Sequence, residues 1–366
     1  MTAALLISLF ALLFAVLDSK GIDHNGLKKA FILITCFSCF RYNYGTDYMS
    51  YMEEFQIMDR YSVEYILSYN GFKDKGWFLI QHYIHFVGWF IFAALISIYC
   101  NVVYYKCIKK YVSKKYYWFS FYIYAFTFDM FLLQQSMIRQ GWAIALMMHA
   151  FVLFDTIDFK NKKKIIAFLF LISLAISIHK SAAFALPFIL FKFVPDKYFK
   201  IVAIGIVVVF ISMFFVRKIL ENYIGLILLT DEFSSFGSDY GNEDGTKIGV
   251  RALIECIPIG VGAYYLIKNG NNKGPYFLIM VSMVAPMVLP LTTIIHLISR
   301  VAFYFSMFYI ISIPITYNVI KNRLCRCGLI AVFVLVTFYI YIDRFNADSY
   351  RKPYSEYHTL FSYILK

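Results

Sequence analysis

The class of fold is decided by the run IVAIGIVVVFISMFFV at residues 201–216, which contains no charged residue. A helix needs roughly 20 apolar residues to cross the hydrocarbon core of a bilayer. Similar runs recur along the 366-residue chain, which is 61% hydrophobic and only 16% charged. Soluble domains carry about a quarter charged residues. The composition therefore indicates an integral membrane protein and excludes soluble enzymes, disordered chains and disulfide-rich secreted domains.

The apolar runs predict an all-α polytopic bundle of about twelve transmembrane helices in a single membrane domain over residues 1–366. The candidate spans are 2–17, 27–41, 84–105, 116–133, 137–154, 165–178, 181–193, 200–216, 250–267, 276–296, 300–319 and 328–343. The sixth and seventh are short, and Pro187 interrupts the seventh. These two are candidates for a broken or re-entrant pair.

The basic residues predict an orientation, since cytoplasmic loops are rich in Lys and Arg. The loops assigned to the cytoplasm hold 20 of the 35 basic residues and five acidic ones; they are 18–29, 106–115, 155–164, 192–200, 268–274 and 320–327. The net charge of +13 then divides into about +15 inside and −2 outside, and both termini are external. Two external segments stand out, a loop and amphipathic segment at 42–83 and a large loop at 217–249. A hydrophobic stretch at 219–229 within the second is expected to lie on the membrane surface.

Charged residues beside the spans gather at the predicted external face. They are Arg41, Asp47, Arg139, His179, Lys180, Arg251, Glu255, His296 and Arg300. Ionisable groups at membrane depth are costly and tend to face a cavity that serves function. Several cations around one cavity would suit an anionic ligand, and the planar fork of arginine suits a diphosphate. Two structural alternatives stay open: an arginine that anchors a span end at the interface, and Asp47 as the ion-pair partner of Arg41.

Five short elements resemble the EpsG-like family of bacterial polysaccharide polymerases, which is related in role to the Wzy-type O-antigen polymerases. The elements, in order, are RYNYGTDYMSY at 41–51, MIRQGWA at 137–143, IHKSA at 178–182, SRVAFY at 299–304 and KPY at 352–354. The first resembles the family pattern R-x-N-x-G-x-D-Y-x-x-Y. Together the elements cover most of the chain. A multi-pass, GT-C-like glycosyltransferase fold follows by analogy.

The resemblance implies a membrane glycosyltransferase at the outer face of the cytoplasmic (inner) membrane. It would move a growing glycan from undecaprenyl diphosphate onto an undecaprenyl-diphosphate-linked repeat unit, forming O-antigen, capsule or exopolysaccharide. The expected catalytic residues are Arg41, Asp47, Arg139 and His179. The expected substrate-binding residues are Tyr44, Gly45, Tyr48, Tyr51, Gln140, Lys180, His296, Arg300 and Tyr304. Cations would stabilise the leaving diphosphate, tyrosines would contact sugars, and either Asp47 or His179 would act as base.

No cofactor or metal is expected, and no nucleic-acid partner. The expected partners are the lipid-linked oligosaccharide and membrane lipids, with a chain-length regulator as a further candidate. Three alternatives remain: an O-antigen ligase, which would cap without chain growth; a flippase or transporter, which would place polar residues at mid-membrane; and an acyltransferase, for which only His149 lies deep in a span. For His149, a hydrogen-bonded helix contact is the favoured interpretation.

Overall fold

The computed structural model describes residues 2–127, 130–228, 256–269, 274–292, 298–346 and 351–364. The regular structure of these residues is helical apart from one two-stranded antiparallel ladder. The chain divides into two compact units, one formed by residues 1–183 and 331–366 and the other by residues 184–330.

The first unit is a bundle of helices that vary widely in length. They are α1 (Thr2–Ser19), α2 (Gly26–Cys39), α3 (Tyr48–Ile57), α4 (Val63–Ser68), α5 (Lys75–Ile84), α6 (Trp89–Tyr111), α7 (Tyr117–Phe126), α8 (Met130–Ser136), α9 (Ile138–Asp155) and α10 (Lys162–Ile178). Helix α1 packs on α2 and α7, α6 packs on α2 and α9, and α10 packs on α5 and α9. Strands β1 (Arg41–Tyr42) and β2 (His358–Thr359) pair, and α18 (Leu360–Ile364) follows β2.

The second unit is built around α11 (Phe199–Leu228) and α12 (Ile257–Asn269). It also contains α13 (Tyr276–Ser282), α14 (Leu289–Thr292), α15 (Ser299–Ser306), α16 (Tyr309–Val319) and the first part of α17 (Arg323–Arg344). Phe199 and Tyr276 place their rings 4.6 Å apart, and Leu266, Ile279 and Met283 are fully buried beside them. The core of this unit therefore lies between α11, α12 and α13.

Among the described residues, the structure supports fewer candidate membrane spans than the sequence predicted. Three described helices are long and apolar enough to cross a membrane, namely Trp89–Tyr111, Asp196–Val216 and Arg323–Arg344. The number rises to five if two bent pairs, Lys114–Ser136 with Ile138–Asp155 and Ser299–Ser306 with Tyr309–Val319, each form one span. The prediction of twelve was wrong, whereas the helical architecture and its apolar helices fit an all-α membrane protein.

The excess arose because hydropathy counts apolar residues without sensing where a helix ends. The predicted span 27–41 forms a helix of 14 residues, about 21 Å long at 1.5 Å per residue and short of a hydrocarbon core of about 30 Å. The predicted span 181–193 lies in a 3₁₀ helix, Lys180–Phe193, that contains Pro187. The predicted spans 116–133 and 137–154 meet at a bend of 120°, where Met137 has non-helical backbone angles.

The predicted loop 217–249 begins inside a helix. Helix α11 continues through Leu228, so residues 217–228 are helical, and this includes most of the stretch expected on the membrane surface. Residues 229–249 lie outside the described part of the chain.

The C-terminal tail folds back onto the chain that follows α2. Arg41 pairs with Thr359 and Tyr42 with His358 in the ladder. The Tyr357 ring stacks on Phe37 at 4.3 Å, and its hydroxyl donates to the Phe37 carbonyl at 2.7 Å. The two ends of the first unit are therefore joined by both backbone and aromatic contacts.

Tyr354 is the most deeply buried contact of this tail. Its ring packs edge-on against Tyr44 at 5.0 Å, and its hydroxyl donates to the Leu132 carbonyl at 3.1 Å. Replacing Tyr354 by Ala should destabilise the protein by about 3–5 kcal/mol, since a large buried ring is lost. Tyr354→Phe should cost only about 1 kcal/mol for the hydrogen bond.

Thermal unfolding of the purified protein in detergent measures both changes. Tyr339→Ala is the matched control, because Tyr339 is 68% exposed, and its midpoint should stay close to that of the wild type. Equal losses for Tyr354→Ala and Tyr339→Ala would contradict a structural role for the tail.

Candidate functional site

Arg41 is a buried hub rather than an exposed cation. Its side chain is 2% exposed, and its guanidinium donates to the Ser38 carbonyl, to Ser97 Oγ at 3.3 Å and to the Gln134 carbonyl at 3.3 Å. It therefore ties together α2, α6 and α8. The structure describes both Arg41 and Asp47 and shows no ion pair between them.

Gly45 lets the first motif approach the end of α8 very closely. Its φ is +118°, and a Cβ there would lie 2.3 Å from the Gln135 carbonyl oxygen. Its N–H donates to the Pro353 carbonyl at 3.2 Å. The next residue, Thr46, bonds Ser136 through both its amide, at 3.0 Å, and its hydroxyl. The motif is thereby fixed to the corner that leads into Arg139.

The tyrosines of the first motif point mostly into the core. Tyr44 is fully buried and contacts Phe37, Tyr354 and Tyr357 through edge-to-face rings, and burial raises the pKa of its phenol. Tyr48 is 1% exposed, and its hydroxyl donates to the Arg41 carbonyl at 3.1 Å. A sugar has no access to either ring in this arrangement.

Tyr51 is partly exposed, and its ring lies 5.7 Å from Trp77. Gln140, which the sequence placed among the substrate contacts, is 2% exposed. Of these two, Tyr51 keeps the more accessible side chain.

Asp74 joins two of the predicted site elements, and the sequence did not single it out. Its carboxylate is 7% exposed. One oxygen lies 3.4 Å from Arg139 Nη1, and the other accepts the Lys180 backbone N–H at 3.1 Å. Because a carboxylate favours such charge-assisted contacts, Asp74 brings the start of α9 next to the end of α10.

Close backbone packing supports this junction. A Cβ on Gly76 would lie 2.4 Å from Ser177 Oγ, so the absence of a side chain lets α5 approach α10. His179 follows α10 in an extended conformation, and its Nδ1 lies 2.7 Å from Ser181 Oγ. The Arg139 side chain and the Lys180 backbone therefore meet at one buried carboxylate, with His179 next to Lys180 in the chain.

Glu54 and Trp77 are further polar and aromatic groups in the same unit that sequence reasoning missed. Glu54 Oε1 accepts both the Trp77 indole N–H and the Gln81 amide, each at 2.6 Å. Trp77 is fully buried and lies 6.4 Å from Trp142, one helical turn after Arg139. The available signal for Asp74 and Trp77 was their position in the chain. Asp74 precedes α5 and Trp77 lies near its start, in a short helix of the 42–83 segment.

The remaining predicted residues lie in other segments of the chain or outside the described residues. Asp47 is partly exposed and precedes α3, and its carbonyl accepts the Tyr51 N–H at 3.0 Å. Arg300 and Tyr304 lie on α15 in the second unit, with Tyr304 fully buried and Arg300 partly exposed. His296, Arg251 and Glu255 lie outside the described residues.

Two structural features bear on the alternatives weighed from the sequence. His149 lies on α9, and its Nδ1 is 3.0 Å from the Tyr99 hydroxyl on α6, as the interpretation of His149 as a hydrogen-bonded helix contact predicted. Among the described residues, no group of three or more His, Cys, Asp or Glu side chains is placed to hold a metal ion.

Comparison with known proteins agrees with the motif resemblance. No curated protein and no solved structure matches the chain significantly. The family described as the EpsG family matches residues 29–361, a range that contains all five motif elements. Since this match covers most of the sequence, the chain belongs to the EpsG family.

Proposed function

We propose that this protein is a polysaccharide polymerase that transfers a growing glycan from undecaprenyl diphosphate onto a lipid-linked repeat unit at the external face of the cytoplasmic membrane. Membership of the EpsG family suggests polymerase-type function. The observation that carries the site assignment is the junction at Asp74, where Arg139 and the His179–Lys180 turn meet.

In the transfer, the bond between the anomeric carbon and the donor diphosphate breaks, and a bond from that carbon to an acceptor hydroxyl forms. The electron pair of the broken bond leaves with the diphosphate, whose charge grows in the transition state. Arg139 is the cation that contacts Asp74, and the exposed Lys180, whose backbone N–H bonds the same carboxylate, is the second cation proposed for the diphosphate. Fixed cations in a site that excludes water stabilise such charge best. The Arg139 side chain is 25% exposed, so it can accept a ligand while it keeps its contact with Asp74.

The acceptor hydroxyl loses its proton as it attacks, and a positioned base takes it. His179 and Asp47 both remain candidates. His179 directly precedes Lys180, whose backbone N–H contacts Asp74, and its Nδ1 lies 2.7 Å from Ser181 Oγ. Asp47 forms no ion pair with Arg41. The two candidates differ in position: His179 adjoins the Asp74 junction in the chain, whereas Asp47 precedes α3.

Arg41, Tyr44, Gly45 and Tyr48 take a positioning role in this proposal. All four are buried, and their contacts fix the α8–α9 corner and the C-terminal tail. Arg300 and His296 stay as predicted substrate contacts from the family resemblance, whereas Tyr304 is as buried as Tyr44 and Tyr48. A chain-length regulator stays a candidate partner.

Replacing Arg139 or His179 by Ala should abolish long polymer while single repeat units persist. Loss of one transition-state donor costs about 10²–10³ in rate, and loss of a general base costs about 10²–10⁴. Glycan electrophoresis of cells that carry each variant measures chain length, and immunoblotting of membranes confirms that the protein is present. Asp47→Asn tests the second base candidate in the same assay.

Lys163→Gln, an exposed lysine on α10, is the matched control and should keep the normal ladder. Normal ladders from Arg139→Ala and His179→Ala would overturn the site assignment. Loss of even one-unit glycan would indicate a flippase, and attachment of single units without growth would indicate a ligase.

Asp74 should act through Arg139, which a double-mutant cycle can show. Asp74→Asn keeps an oxygen for the Lys180 N–H but loses the charge that pairs with Arg139, so polymer synthesis should fall by tenfold or more, about 1.4 kcal/mol. Adding Asp74→Asn to Arg139→Ala should cost little further, because residues that share a contact are not additive.

The rate of repeat-unit incorporation in membrane vesicles provides the measurement. Glu53→Gln, on an exposed acidic residue of α3, is the control. Fully additive losses for Asp74→Asn and Arg139→Ala would show that the two residues act independently.

A further inference from the structure

A small polar cavity lies far along the first unit from the Asp74 junction, where the α1–α2 turn meets the C-terminal end of α6. Its volume is about 100 Å³. Three lysines and a histidine line it, namely Lys28, Lys109, Lys114 and His24, together with Asp18 and Tyr105. None of these residues belongs to the proposed catalytic machinery.

One wall of the cavity is rigid. A Cβ on Gly26 would lie 2.1 Å from the Phe14 carbonyl oxygen, so α2 begins in direct contact with the end of α1. This contact brings Asp18, which is 3% exposed, to the first turn of α2, where its Oδ2 accepts the Leu27 N–H at 2.9 Å. The buried carboxylate is therefore fixed by the backbone on the floor of the cavity.

The cations of the cavity exceed its anions. Asp18 Oδ1 lies 3.2 Å from Lys114 Nζ, which also approaches His24 Nδ1 at 3.3 Å. The Asp18–Lys114 ion pair carries no net charge. Within the described part of the chain, Lys28 and Lys109 have no carboxylate within 4 Å. Lys109 donates to the Tyr105 hydroxyl at 3.3 Å and lies over the face of the same ring. Two positive charges therefore have no ion-pair partner in direct contact within that part of the chain.

The size and position of the cavity restrict what can neutralise them. A volume of about 100 Å³ admits a small group such as one tetrahedral oxyanion, since a single water molecule needs about 10–15 Å³ of such space. Helix α6 is long and apolar enough to cross the membrane, so its end lies at a bilayer surface, where lipid phosphates are concentrated. Basic pockets between helices at that depth are suited to anionic headgroups.

We propose that this cavity binds a single phosphate group, with Lys28 and Lys109 as the charges that hold it and the Asp18–Lys114 pair as its fixed wall. The group comes from an anionic lipid headgroup or from free phosphate, and the two sources share the same contacts. This site is independent of the proposed polymerase reaction, because it uses neither the Asp74 junction nor the first motif.

The test uses the purified full-length protein in neutral detergent with three probes: dioctanoyl phosphatidylglycerol, dioctanoyl phosphatidylcholine and inorganic phosphate. Native mass spectrometry counts bound lipid, and the thermal unfolding midpoint reports stabilisation by a ligand that binds the folded state. The wild type should bind phosphatidylglycerol in preference to phosphatidylcholine, which carries the same phosphate without net charge. Lys28→Gln with Lys109→Gln should weaken phosphatidylglycerol binding by about twenty-fold or more.

Lys162→Gln with Lys163→Gln is the matched control, because it removes the same charge from two exposed lysines at the start of α10. Its affinity should stay within about twofold of the wild type, since electrostatics falls off within a Debye length. Preference for phosphatidylglycerol identifies the lipid as the source. Stabilisation by inorganic phosphate, lost in the Lys28/Lys109 variant, identifies free phosphate. Equal binding of both lipids without any effect of phosphate, or equal losses in the two double variants, overturns the proposal.

Discussion

The buried guanidinium of Arg41 is the contact on which the first unit depends. A charge in an apolar interior costs several kcal/mol unless its donors are satisfied. Here Nη1 and Nη2 donate to two main-chain carbonyls and the Ser97 hydroxyl on three different helices, while Nε has no hydrogen-bond partner among the described residues. Both carbonyls belong to the last turn of a helix, Ser38 in α2 and Gln134 in α8. Carbonyls in a last turn lack intrahelical partners. The cation can therefore be buried only if α2, α6 and α8 are all in place, and this requirement makes their arrangement cooperative.

Two arginines that look alike in the sequence serve different ends. The hydrogen bonds of Arg41 join helices of the fold. Arg139 instead contacts one buried carboxylate, and a quarter of its side chain remains accessible. The guanidinium of Arg41 donates to backbone carbonyls and has few N–H donors available for a diphosphate. The guanidinium of Arg139 is oriented by Asp74 on one side and keeps donors available for a ligand. Pre-organisation of that kind suits transition-state charge, because the cation needs no reorganisation when the charge develops.

The sequence predicted the helical class and the order of the motif elements, yet not their geometry. Hydropathy overestimated the spans because it does not register the corner at Met137 or the 3₁₀ segment around Pro187. The family resemblance implied that Tyr44 and Tyr48 contact sugars, but both rings are buried by tertiary contacts that no local pattern encodes. Asp74 was missed for the same reason, since its partners lie 65 and 106 residues away in the chain.

The return of the C-terminal tail brings the KPY element against the first motif and α8. Gly45 donates to the Pro353 carbonyl, and Tyr354 donates to the Leu132 carbonyl of α8. The tail thus supports the corner between α8 and α9. Thr46 contacts the same corner through its hydrogen bond to Ser136, three residues before Arg139. A site residue at the start of α9 is held in position by segments from both ends of the chain. The Gly45–Pro353 contact joins two backbones, whereas the Thr46–Ser136 and Tyr354–Leu132 contacts use side chains. The geometry around Arg139 therefore depends both on the close approach at Gly45 and on the Tyr354 side chain.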